Sequence, residues 1–264
     1  APYWVSYPDI VLLAGGLPII LECNEKQGFK INPSILEKSI TKKTKWIILN
    51  SPSNPTGACY TEKDIKAIGE ILENYPNILI LSDDIYEHVI YGNFKFFTIA
   101  QIDKLKDRVL TMNGVSKAYS MTGWRIGYAA GPKEIVKAIA KIQSQSTTNP
   151  SSISQAAAVE ALNGVQNFIK TRASSFEERR DFVVKELNMI AGIECLNPDG
   201  AFYVFPSCKG LFGKTDPKGK KINTDKDFVE SLLENNGIAV VQGSAFGLEG
   251  FFRISYATSM DNLK

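Results

Sequence analysis

Lys117 and Arg125 stand eight residues apart in the stretch NGVSKAYSMTGWRIGY, Asn113 to Tyr128. No acidic residue within the stretch pairs with Lys117. A lysine among Ala118, Tyr119, Ser120 and Met121 is either a surface charge or a partly desolvated amine. A desolvated amine has a lowered pKa and attacks carbonyl carbons to form a Schiff base. Arg125 is a fixed cation whose planar fork suits a phosphate. Asp83, Asp84 and Tyr86 follow the apolar run Ile78–Leu81, and Asn54 sits in the proline-rich Ser51–Gly57. Each of these also has a plain structural reading: Asn54 as a turn residue, the aspartates as caps, Tyr86 as core packing. Arg253 lies in the apolar run Phe251–Tyr256. A buried guanidinium there requires a partner, so a purely structural role fits it less well.

Short apolar runs must position these side chains. Strand patterns cover Leu17–Cys23, Lys45–Asn50, Ile78–Leu81, Arg108–Met112 and Ile126–Ala130. Thr61 caps a helix that begins Glu62-Lys63-Asp64 and runs to about Tyr75. Further helices are predicted from Asn32-Pro33-Ser34 onward and at about 133–146, 152–162 and 166–191. Strands alternating with helices, without hairpin signals, predict an α/β fold whose mostly parallel sheet is sandwiched by helices. Ligands of such sheets bind beyond the carboxyl ends of strands. Asn54, Asp83, Tyr86 and Lys117 all follow apolar runs, which directs them to one rim. Beyond about Gln166 the texture changes, with strand patterns at Ala201–Phe205, Gly237–Val241 and Phe251–Tyr256 and a helix at 228–235. The reading is a large cofactor-binding domain over 1–168 and a smaller C-terminal α+β domain over 169–264.

The bulk composition narrows the function classes. With 44% hydrophobic and 22% charged residues among 264, the chain is an ordinary globular sequence. A formal charge of +2 gives no electrostatic ground for a nucleic-acid or membrane partner. No apolar run approaches the roughly 18 residues of a membrane span. Cys23, Cys59, Cys195 and Cys208 form no CxxC pair and fit no zinc spacing, so no metal is expected. They read as reduced thiols of a cytoplasmic protein. His88 is the only histidine and has no nucleophile motif beside it.

Asn54-Pro55-Thr56-Gly57, Asp83-x-x-Tyr86, Ser116-Lys117, Lys117-x₇-Arg125 and Phe252-Arg253-Ile254-Ser255 occur in that order. Together they resemble the pyridoxal-phosphate-dependent class I aminotransferases of fold type I, over essentially the whole chain. Tyr-Trp-Val-Ser-Tyr-Pro at Tyr3–Pro8 and Met121–Tyr128 are most similar to the bacterial aspartate aminotransferases. The resemblance implies that Lys117 holds pyridoxal 5'-phosphate as a Schiff base and later carries the substrate's proton. It implies that Asp83 pairs with the ring nitrogen, while Tyr86 and Asn54 donate to the ring oxygen. Arg125 binds the phosphate with Ser116 in support, Trp4 stacks on the ring and helps hold substrate, and Arg253 clamps the substrate α-carboxylate. Aspartate and 2-oxoglutarate are the implied substrates, in a ping-pong reaction on a homodimer. The same resemblance extends to aromatic, alanine, kynurenine or prephenate aminotransferases, to carbon–sulfur lyases, and to ligand-sensing domains of transcription regulators. Two departures stand out. Many relatives carry a hydroxyl three residues before the lysine, where this chain has Gly114. Relatives also carry a phosphate loop ahead of the position of Ala1 and a last helix beyond Lys264. The reading is a chain short at both ends that holds the cofactor poorly by itself.

Overall fold

A computed structural model describes residues 1–264. It is an α/β structure that divides into two compact units. In chain order its elements are α1 (Ser6–Leu13), α2 (Pro33–Ser39), β1 (Trp46–Asn50), α3 (Glu62–Glu73), β2 (Leu79–Asp83), β3 (Val109–Gly114) and β4 (Gly127–Ala130). Then come α4 (Lys133–Ser144), α5 (Ser152–Asn163), α6 (Asn167–Asn188), β5 (Tyr203–Val204), α7 (Asp225–Asn236), β6 (Val241–Gln242), β7 (Phe252–Ser255) and α8 (Met260–Leu263).

One unit comprises residues 36–52 and 59–174. Its sheet has the order β1-β2-β3-β4. The first two pairings are parallel, as the alternation of apolar strands with helices predicts; β3 and β4 are antiparallel. The register places Asn50 beside Asp83 and Asp83 beside Met112. Helix α3 starts where the sequence says it must. The Thr61 hydroxyl accepts from the Asp64 N–H, and the Asp64 carboxylate accepts from the Thr61 N–H. Ile65, Ile68 and Leu72 recur at helical spacing and are buried. Arg108, just before β3, ties down the chain that leaves α3, donating to the carbonyls of Leu72, Tyr75 and Ile78.

The other unit comprises residues 1–35, 53–58 and 175–264. It therefore draws on both ends of the chain. The boundary expected near residue 169 falls inside α6, whose residues to Ser174 belong to the first-described unit and from Ser175 to this one. A three-stranded sheet in the order β5-β7-β6 is antiparallel throughout. Phe29, Phe205, Phe246, Leu248 and Phe251 form one core cluster, with the Phe205 and Phe251 rings stacked 5.2 Å apart. Ile193, Cys208, Ile222, Phe228, Val229 and Phe252 form another.

Some strand expectations fail. Leu17–Cys23 forms no strand, and Leu17 is 78% exposed. Its apolar pattern has strand length, but its backbone bonds, from Cys23 N–H to the Ala1 carbonyl and from the Ala1 amino group to the Leu21 carbonyl, join it to the first residue and to no strand. Of Gly237–Val241 only Val241 pairs, together with Gln242. Glu194 contributes only an isolated antiparallel bridge, to Ser207. All four cysteines are buried thiols outside any disulfide. Burial pushes the thiols of Cys195 and Cys208 up to about 12.

Candidate active site

In the unit that holds the parallel sheet, strands β2 and β3 deliver the first group of candidate residues. Asp83 is the last residue of β2 and is buried. Asn50, at the matching end of β1, donates from Nδ2 to the Asp83 carbonyl at 3.0 Å. The Asp83 carboxylate accepts the Ile85 N–H at 3.3 Å. A turn follows, closed by bonds from Glu87 N–H to the Asp84 carbonyl and from Val89 N–H to the Tyr86 carbonyl. Tyr86 within it is buried, 3% exposed.

The two adjacent aspartates have different surroundings. Asp84 is also buried, and its Oδ1 accepts the Ser82 hydroxyl at 2.7 Å. Ser82 Oγ in turn lies 3.3 Å from Thr98 Oγ1. Burial raises the Asp84 carboxyl to about 6, although both hydroxyls pull the other way. Asp84 is thus held by the Ser82 hydroxyl, which in turn lies beside that of Thr98.

Strand β3 ends at Gly114, and Ser116 and Lys117 follow after Val115. The Lys117 segment is a turn fixed by bonds from Ser120 N–H to the Lys117 carbonyl and from Met121 N–H to the Val115 carbonyl. Val115, Ile126 and Ala158 form a core cluster beneath it. Lys117 is half-buried, and its Nζ lies 5.6 Å from the centre of the Tyr86 ring. Arg125 is exposed and holds a left-handed backbone with φ 55°. An arginine rarely adopts that conformation, which costs about 1–2 kcal/mol. Its Nη1 donates to the Thr122 carbonyl at 2.9 Å.

The structure explains Gly114. A Cβ there would lie 2.8 Å from the Ile126 carbonyl oxygen and 3.2 Å from the Gly127 Cα. Close pairing of β3 with β4 leaves no room for a hydroxylated side chain.

The second group lies in the other unit. Asn54 is buried, and its Oδ1 accepts from Arg253 Nη1 at 2.9 Å. Gly57 holds the Asn54 loop in place. Its φ is +70°, and a Cβ would lie 2.6 Å from the Gly200 carbonyl oxygen. Arg253 comes from β7 and is flanked by aromatic rings. Its Cζ is 4.7 Å from the Tyr203 ring centre and 4.9 Å from that of Phe246. Its Nε is buried with no hydrogen-bond partner. A buried guanidinium donor left open is costly unless a ligand completes it. Trp4 is 37% exposed and packs edge-on against Tyr7 at 5.4 Å.

Asp83, Tyr86, Ser116, Lys117 and Arg125 thus belong to one unit, where Lys117 lies against the Tyr86 ring, and Trp4, Asn54 and Arg253 belong to the other, where Arg253 bonds Asn54. One contact near these residues escapes a reading by motif: Glu87, next to Tyr86, and Asn113, four residues before Lys117, are joined at 2.6 Å. Pairing of side chains 26 residues apart leaves no mark in local sequence.

These residues sit in a chain that belongs to the class I and II aminotransferases: the family model for aminotransferase class I and II matches residues 1–264. Among known relatives, a probable aspartate/prephenate aminotransferase of Rhizobium leguminosarum bv. phaseoli is 58% identical over the whole chain, which covers 66% of that protein. The aspartate aminotransferase of Rhizobium meliloti is 55% identical, with 64% of it covered. The chain thus spans slightly less than two thirds of the length of these relatives. The crystal structure of a Rhizobium meliloti aspartate aminotransferase superposes with a TM-score of 0.96 at 55% identity, over all of this chain and 66% of the other. An aromatic aminotransferase from Pyrococcus horikoshii OT3 gives 0.90 at 38% identity, over all of this chain and 68% of the other.

Proposed function

We propose that the protein is a pyridoxal-phosphate-dependent aminotransferase that moves the amino group of aspartate to 2-oxoglutarate by a ping-pong mechanism. The observation that carries the reading is the placing of the Lys117 amine over the Tyr86 ring, with buried Asp83 at the end of the same strand-to-turn connection. The donor set fits the cofactor. It offers a buried carboxylate for a ring nitrogen, a phenol for a ring oxygen, an amine for an aldehyde carbon, and a guanidinium with a hydroxyl for a phosphate. When bound, pyridoxal phosphate supplies an electron sink for the electrons released at the amino acid's α-carbon.

The chain's own residues do the rest. Lys117 Nζ takes the α-proton and returns it, the general acid–base role that a lysine with a hydrophobic and phenolic neighbourhood can fill. Asp83, fixed at a strand end by Asn50 and the Ile85 N–H, keeps a proton on the ring nitrogen. Tyr86 and Asn54 orient the ring oxygen, Arg125 and Ser116 anchor the phosphate, and Trp4 covers the ring. Arg253 offers the open Nε–H and a second N–H to the substrate carboxylate, with Asn54 holding its Nη1. Aspartate as the amino donor is supported by the names of the relatives; the names that include prephenate support that compound as a further amino acceptor.

A homodimer and a cytoplasmic location belong to the same reading. The absence of any helix long and apolar enough to cross a membrane is compatible with it. The deciding experiment measures half-reaction rates of the purified protein with aspartate, alanine, phenylalanine and cystathionine. Aspartate should be fastest, and Lys117→Ala should abolish transfer while leaving the fold intact. Unchanged transfer by Lys117→Ala would defeat the mechanism, and ligand binding without turnover would favour a sensing domain.

A further inference from the structure

The turn bearing Tyr86 and the strand leading to Lys117 are joined by a polar tie that the chemistry above does not use. Asn113 Nδ2 donates to Glu87 Oε1 at 2.6 Å. Glu87 directly follows Tyr86, and Asn113 stands four residues before Lys117. Asn113 is itself fixed. It lies in β3 opposite Tyr128 of β4, and its Oδ1 accepts the Gly114 N–H at 2.7 Å. Glu87 is fixed through its N–H on the Asp84 carbonyl, while Asp84 N–H extends the β2–β3 pairing to the Met112 carbonyl at 2.9 Å. The side-chain tie continues that pairing one residue further, to where the two backbones part. Beyond it the segments carry the phenol and the amine. The His88 imidazole lies 3.5 Å from the same Glu87 oxygen, on the exposed side.

We propose that Glu87 and Asn113 are positioning residues for the amino-transfer reaction: their hydrogen bond sets the placement of the Lys117 amine relative to Tyr86 and Asp83. The inference rests on the reading of Lys117 as the proton-carrying amine. Neither residue is among the groups proposed to hold cofactor or substrate, so their effect falls on the rate of proton movement and not on capture of the substrate carboxylate, the role proposed for Arg253. A small displacement of a reacting group is enough to slow such a step by an order of magnitude or more.

The test uses the purified protein with its cofactor and measures kcat and KM for the amino-donor half-reaction. Glu87→Ala and Asn113→Ala should each lower kcat about 10-fold or more and leave KM within about twofold. Asn113→Asp, which sets two carboxylates against each other, should be worse than either. The double variant Glu87→Gln with Asn113→Asp restores an amide–carboxylate bond with donor and acceptor exchanged, and the carboxylate introduced in β3 can still accept the Gly114 N–H. It should recover most of the kcat lost in Asn113→Asp. Retention of kcat within twofold in both alanine variants would overturn the proposal, as would failure of the exchanged pair to recover the rate. Lys117→Ala separates this from the underlying reading. If that variant still transfers amino groups, both fail; if it is inactive while the alanine variants are fully active, only the positioning role fails.

Discussion

Replacing Arg253 by lysine isolates the contribution of the guanidinium shape from that of its charge. In the structure Nη1 is taken by Asn54, Cζ lies 4.7 Å from the Tyr203 ring centre and 4.9 Å from that of Phe246, and Nε is buried without a partner. A carboxylate reading Nε and a second N–H receives two parallel charge-assisted hydrogen bonds, and lysine keeps the charge but supplies one. Loss of one such bond costs about 1.5–3 kcal/mol. That converts to a roughly 10- to 150-fold fall in kcat/KM. The assay is the amino-donor half-reaction at low donor concentration, run with aspartate and with phenylalanine. Both donors share the α-carboxylate, so the fold-loss should be the same for each. The flanking rings and Asn54 can still receive an ammonium, so stability should fall by no more than about 1–2 kcal/mol. A loss below threefold, or a loss confined to one donor, would refute the assignment of Arg253 to the α-carboxylate.

Other expectations follow from individual surroundings. The folded-state pKa of Asp84 is about 6 against an ordinary 3.8, so the native state holds the proton more tightly than the unfolded chain. Its contribution to stability is full below about pH 4, is lost as pH rises to about 6, and is flat above; the span is about 3 kcal/mol. Asp84→Asn should remove that fall, giving a urea midpoint that changes less between pH 4 and 7 than in the unsubstituted protein. Gly114→Ser should destabilise by about 1–3 kcal/mol in thermal or urea unfolding, because its Cβ meets the Ile126 carbonyl oxygen at 2.8 Å. Arg125→Gly should weaken cofactor retention on dialysis by about 10-fold or more while leaving the thermal midpoint of the cofactor-free protein undiminished, since glycine accepts φ 55° without strain.

The parallel strands β1, β2 and β3 were legible because each is a compact apolar run ending in polar residues, and those ends carry Asp83 and Lys117. Helix α3 was legible to the residue at its start, because a capping box is written within four positions. Leu17–Cys23 misled for a physical reason: an apolar run of strand length says nothing about whether a partner strand exists. The division into units was hidden as well, since the Asn54 loop, residues 1–35 and residues 175–264 associate through contacts far apart in sequence. Motif spacing named Gly114 as a departure but could not supply its cause, which is the approach of a strand thirteen residues later. The Glu87–Asn113 bond escaped for the same reason. Lys117 and Arg125 could be proposed from residue type and spacing alone; which side chains face one another could not.

The buried cysteines give the protein a built-in means of timing its own opening. Thiols pushed up to about 12 are almost wholly protonated near neutral pH, and the thiolate is the species that alkylating reagents attack. Reaction at Cys195 or Cys208 must therefore wait for the surrounding structure to open, and its rate counts those openings. Cys59 belongs to the unit with the parallel sheet, whereas Cys195 and Cys208 belong to the other. Mass-resolved alkylation of the natural chain can thus clock the two units separately, without an introduced label, and show which of them cofactor or substrate quietens first.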